Sequence, residues 1–90
     1  MVTIGEINLT LSFVHSKKER RAITNHIIDK LKRINISVLD SSGEYPHEAL
    51  ITFTFIRADQ LTSDTTIKKI EDILLEKISE DCFDIEYETI

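Results

Sequence analysis

Glu6-Ile7-Asn8-Leu9-Thr10-Leu11-Ser12-Phe13 decides the fold, together with the run that follows it, His15-Ser16-Lys17-Lys18-Glu19-Arg20-Arg21. The first stretch alternates strictly, with Ile7, Leu9, Leu11 and Phe13 on one face and Glu6, Asn8, Thr10 and Ser12 on the other. That is the period of a half-buried strand. The second stretch changes period. Ser16 and Glu19 have the spacing of a capping box, and Ile23, Ile27, Leu31 and Ile34 recur at helical intervals, which predicts a helix over 17–33. Before the strand, Val2 and Ile4 are out of phase with its apolar face, and Gly5 between them is read as a bulge.

The rest of the chain follows from this junction. Residues 35–40 read as a short strand, and Gly43 and Pro46 mark a loop over 41–46. Residues 48–57 alternate again, with Ala49, Ile51, Phe53 and Phe55 opposite Leu50, Thr52, Thr54 and Ile56. A second helix is predicted over 63–80, capped by Ser63 or Thr62 and burying Ile67, Ile70, Leu74 and Ile78. A last strand over 82–89 turns Phe83, Ile85 and Tyr87 inward. The order is βαββαβ. Each helix is apolar on one stripe only, so one sheet face is covered and the other open. Two split βαβ units with right-handed crossovers give an α+β, ferredoxin-like sandwich: a four-stranded antiparallel sheet with two helices on one face. No linker or repeat interrupts it, and 90 residues suit a single domain over 1–90.

Charge is distributed unevenly. The net charge is −5, yet residues 15–33 carry +5 and the remainder −10. Lys17, Lys18, Arg20 and Arg21 crowd the first turn and a half of the helix, where the helix dipole disfavours cations by roughly 0.3–1 kcal/mol each when exposed. Clustered cations beside free backbone N–H groups suit an anion. At about 100° per residue, Lys18, Arg21, Asn25 and Lys32 share one stripe opposite Ile23, Ile27 and Leu31. With His15 and Lys17 at the helix start, they form the expected anion- or RNA-binding set, the alternative being an ordinary solvated helix face. Arg20 falls on the core side, where it is expected to snorkel or to pair with a carboxylate at the sheet end.

The run His15-Ser16-Lys17-Lys18-Glu19-Arg20-Arg21 and the later Asn35-Ile36-Ser37-Val38 resemble the YlxP-like family of small bacterial proteins. That family carries a His-Ser-Leu-Lys-Glu-Lys-Arg run at its first helix. His15, Ser16, Lys18, Glu19 and Arg21 match it, and Lys17 stands in place of the Leu. The family's segment before the third strand is acidic and contains Trp. Here it is shorter, with Glu44 and Tyr45 in place of the Asp and Trp, which marks a divergent member. The resemblance implies a ferredoxin-like fold, no established biochemical function, and genes commonly beside those for ribosome maturation and initiation, hence a link to ribosomal RNA or a ribosomal subunit.

Other function classes find little support in the residues. Sheet-face RNA readers stack bases on aromatic rings; the outward positions here are Asn8, Thr10, Thr52 and Thr54 beside Asp84, Glu86 and Glu88. Leu39, Leu50 and Ile56 also point outward and could bury against a second copy. His15, His26 and His47 lack zinc-ligand spacing, and the one cysteine, Cys82, forms no intrachain disulfide and fits a reducing, cytoplasmic compartment. No signal peptide or membrane-spanning run is evident. Glu44, Tyr45 and His47 form a polar loop able to reach a ligand. The expectation is a non-enzymatic binding protein without cofactor, engaging RNA through its first helix. The alternative is a homodimeric interaction module that touches no nucleic acid.

Overall fold

The computed structural model describes residues 1–90. Its elements are β1 (Val2–Thr10), α1 (Lys17–Lys32), β2 (Ser37–Asp40), β3 (Glu48–Ile56), α2 (Gln60–Leu75), a 3-10 turn (Glu80–Cys82) and β4 (Phe83–Thr89). The strands lie in the order β2-β3-β1-β4, and every neighbouring pair is antiparallel. This is the ferredoxin-like sandwich. One phase of the central strands, Ile7, Leu9, Ala49, Ile51, Phe53 and Phe55, is buried against Ile27, Leu31, Ile67, Ile70 and Leu74 of the helices. The opposite phase, with Ile4, Glu6, Asn8, Thr10 and Ile56, remains exposed.

Gly5 is not a bulge. It pairs one-to-one with Phe53 on β3 and Tyr87 on β4, and Thr3, Gly5, Ile7 and Leu9 continue a single inward phase. Glycine is required there because a Cβ would overlap the Phe53 ring and lie 2.8 Å from the Glu86 carbonyl oxygen. The strand alternation also stops earlier than 6–13 suggests. Leu11 N–H donates to His47 O at 2.7 Å and Val14 N–H to Leu11 O at 3.0 Å, so the chain turns. Val14 takes the core position and Phe13 is rotated outward, 53% exposed.

Each helix end has a local cause. α1 closes through Ile36 N–H to Leu31 O and Asn35 N–H to Lys32 O, with Asn35 at φ 62°. This is a Schellman closure, Asn being among the residues that tolerate the left-handed region, and it delays β2 to Ser37. α2 is capped by Asp59, whose Oδ1 accepts from Thr62 N–H at 2.8 Å, rather than by Thr62 or Ser63. Ser63 lies inside the helix, with its hydroxyl donating to Asp59 O at 3.0 Å. α2 stops at Leu75, and Ile78 is buried beyond it. On β4, Phe83 and Ile85 are half-buried, whereas Tyr87 at the uncovered end of the strand is exposed. Arg57 fastens the end of β3: its Nε donates to Thr66 Oγ1 and its Nη2 to Ile34 O, and its guanidinium lies 4.9 Å from the Phe55 ring centroid. No helix is long and apolar enough to cross a membrane.

Candidate nucleic-acid interface

The N-terminus of α1 and the loop between β2 and β3 meet at one end of the sheet, because Thr10 pairs with Glu48 and the chain on either side turns away there. Ser16, in extended backbone at φ −150°, caps α1 by accepting from Glu19 N–H at 3.1 Å. The Glu19 carboxylate reaches back to His15 N–H, one residue before the cap, at 3.4 Å. The reciprocal half of the capping box is thus shifted by one position.

The cations of this turn divide into two groups. Arg20 is 8% exposed, and its Nη1 donates to three loop carbonyls: Gly43 O at 3.0 Å, Tyr45 O at 2.7 Å and Glu48 O at 3.1 Å. A sequence reading finds the core-side position but not these acceptors, since backbone oxygens of a distant loop leave no residue signal. Lys17 is ion-paired with Glu44 of the same loop. That hydrogen bond and the Lys17 charge hold the Glu44 carboxyl below its ordinary value. On the other side, Lys18, Arg21, Asn25 and Lys32 are all exposed, and none of the three cations has a carboxylate within ion-pairing distance. The other intrachain pair joins Lys30 to Glu76 of α2 at 3.2 Å. His15 is exposed at the helix start.

The loop itself is well tied. Ser42 N–H donates to Asp40 Oδ1 at 3.0 Å, Ser42 Oγ accepts from Leu50 N–H at 3.0 Å, and Glu48 N–H donates to Tyr45 O at 3.2 Å. Partial burial pushes the Asp40 carboxyl up, but hydrogen bonds from Ser42 and Thr24 and the Arg20 charge outweigh it and leave Asp40 more acidic than usual. Tyr45 and His47 meet edge to face, their ring centroids 5.6 Å apart. His47 Nδ1 is buried with no hydrogen-bond partner. Glu44 and Tyr45, but not His47, border a cleft of about 380 Å³ that opens on the uncovered sheet face beside Asn8, Thr10 and Ser41. No three His, Cys, Asp or Glu side chains converge as metal ligands would.

A family model described as "Protein of unknown function (DUF503)" matches residues 2–87. The chain belongs to the DUF503 family. Among curated proteins, none matches this DUF503 chain in sequence. Three similar solved structures are de novo designed proteins. LFR1 1, a design with ferredoxin fold, has a TM-score of 0.62 at 14% identity, covering 98% of this chain and 83% of that one. Foldit4 has a TM-score of 0.57 at 13% identity, covering 97% and 91%. Ferredog-Diesel has 0.55 at 12%, covering 99% and 85%. At such identities the likeness speaks for the fold alone.

Proposed function

We propose that this DUF503 chain is a YlxP-like, single-domain, non-enzymatic protein of the cytoplasm that associates with structured RNA, ribosomal RNA foremost, through α1. One observation carries the reading. Lys17, Arg20 and Lys30 are engaged inside the molecule, whereas Lys18, Arg21 and Lys32 stand on one exposed stripe with no intrachain carboxylate partner. Unpaired cations on a rigid helix contact phosphates through Coulomb attraction and counterion release, without reading sequence. Binding to ribosomal RNA is therefore measured across a salt series. Its logarithm falls linearly with the logarithm of salt, with a slope of about −0.7 to −0.9 per phosphate contacted. A Lys18→Glu, Arg21→Glu, Lys32→Glu variant loses binding, and ribosomal subunits follow the wild type but not the variant from lysate. Absence of binding at low salt refutes the reading.

A second reading rests on the open sheet face, where Leu39 is 65% and Ile56 71% exposed on the β2–β3 half. A homodimer through this half, touching no nucleic acid, buries those side chains while keeping the β4 carboxylates Asp84, Glu86 and Glu88 clear of their copies. Concentration-dependent dimerisation in sedimentation, abolished by Leu39→Lys, supports it; a monomer at all concentrations excludes it.

A further inference from the structure

We infer that the end of the molecule carrying the α1 N-terminus takes unpaired nucleotides, with phosphates on Lys18 and Arg21 and bases against Phe13 and Tyr45, an inference that rests on the RNA reading above. Phe13 and Tyr45 are the exposed rings of two loops, 53% and 62% accessible. Those loops share one end of the sheet, because Leu11 N–H donates to His47 O at 2.7 Å and Thr10 pairs with Glu48. Tyr45 is adjacent to Glu44, whose carboxylate is ion-paired with Lys17 on the first turn of α1. Stacking surfaces and unpaired cations therefore share this end of the molecule, the rings on its two loops and Lys18 and Arg21 on the outer stripe of α1, the combination that single-stranded nucleic acids exploit.

The cleft beside Tyr45 sharpens the choice of ligand. Its volume of about 380 Å³ falls in the range of small-ligand sites, roughly 300–1,000 Å³. Asn8 and Thr10 offer an amide and a hydroxyl that both donate and accept, as a base edge requires, and the Ser41 hydroxyl, hydrogen-bonded to Thr52 Oγ1 at 2.8 Å, keeps a lone pair to accept with. Glu44 and Glu48 also line it, and their carboxylates repel phosphate. The ligand must therefore divide into a neutral, planar part for the cleft and an anionic part for the helix. A duplex cannot divide so, since its bases are already paired and stacked; a single strand can.

The test compares a short labelled single-stranded RNA of mixed sequence with the same strand annealed to its complement. The single strand binds more tightly. Phe13→Ala and Tyr45→Ala each weaken it about tenfold and leave duplex binding unchanged. Both rings are exposed, so the melting temperatures of these variants stay near wild type. A second readout uses the two tyrosines of the chain. In Tyr87→Phe, Tyr45 is the only tyrosine, and its emission is quenched by the single strand but not by the duplex. Duplex binding equal to single-strand binding, or unquenched Tyr45 emission in the complex, overturns this inference and leaves the RNA reading standing. Absence of binding by either probe overturns both.

Discussion

Replacing Arg20 by methionine separates the α1–loop connection from the rest of the fold. Methionine keeps most of the apolar stem, so the loss is concentrated in the guanidinium. Nη1 alone serves Gly43 O, Tyr45 O and Glu48 O, and a hydrogen bond from a charged donor contributes about 1.5–3 kcal/mol. One nitrogen divided among three acceptors does not supply three full bonds, and the freed carbonyls of an exposed loop recover water. The expected cost is therefore about 2–3 kcal/mol, or roughly 10–20 °C in melting temperature for a domain of this size. Arg20→Lys keeps a charge and three donors but not the planar geometry, and recovers about half. Thermal melts followed by circular dichroism give the magnitude. Amide exchange locates it: protection falls first at Leu50, Ser42 and Glu48, while α2 keeps its rates. A cost below about 0.5 kcal/mol, within the range of an ordinary surface substitution, would show that the three carbonyls do not depend on Arg20. Exchange rising equally across the molecule would refute the local assignment.

Gly5→Ala lowers stability by about 1–3 kcal/mol through overlap with Phe53, outweighing the roughly 0.4–1 kcal/mol it brings by restricting the unfolded chain. In a denaturation double-mutant cycle, Phe53→Leu recovers part of the loss, and strictly additive effects would contradict the contact. Asp40, Glu44 and Asp59 are all more acidic folded than unfolded, so the stability they bring is complete above their ordinary values near about 4 and drains as pH falls through their lower folded values. The melting temperature is accordingly level from about pH 7 to 5 and falls below about 4; a rise on acidification has the wrong sign. Lys18→Glu replaces an exposed cation with an anion in the first turn of α1, which raises stability by about 0.3–1 kcal/mol while weakening RNA binding. Stability and binding measured on the one variant must move in opposite directions.

What the sequence makes legible is what depends on near neighbours. Period-two alternation in β3 and the helical stripe of α1 are set by residues a few positions apart. The first matches the burial found, and the second is turned slightly, Ile27 and Leu31 being buried with Thr24 and Ile28 while Ile23 and Ile34 are half-buried. The departures have distant causes. Alternation continues in letters through Phe13, but the strand ends where Leu11 pairs with His47, and nothing near Phe13 announces that bond. The need for glycine at position 5 lies in the ring of Phe53, on another strand. Asp59, Thr62 and Ser63 are all good caps in close succession; Asp59 takes the role, its carboxylate accepting from Thr62 N–H, while Ser63 is buried one turn in and donates back to Asp59 O. In the candidate interface, the exposed stripe of Lys18, Arg21, Asn25 and Lys32 follows from helix geometry alone. The engagement of Lys17 by Glu44 needs the loop in place.

The allotment of charge fixes the direction from which a polyanion can approach. α1 covers one face of the sheet, and its outer stripe holds Lys18, Arg21 and Lys32. The uncovered face carries the β4 acids, with Glu6 directly opposite Glu86 in the register and Asn8 opposite Asp84. Like charges placed opposite one another across strands are unfavourable, so this face already carries a repulsion that another anion would increase. The field of the molecule therefore turns phosphates away from the sheet and toward the helix before any contact forms. A footprint of bound RNA on the protein must then centre on α1, the 41–48 loop and the cleft beside that loop, leaving Asp84, Glu86 and Glu88 as accessible as in the free chain. Neutralising those three acids should widen the footprint onto the sheet, whereas extending the positive stripe should tighten binding without moving it. A footprint centred on β4 in the wild type cannot be reconciled with this distribution of charge.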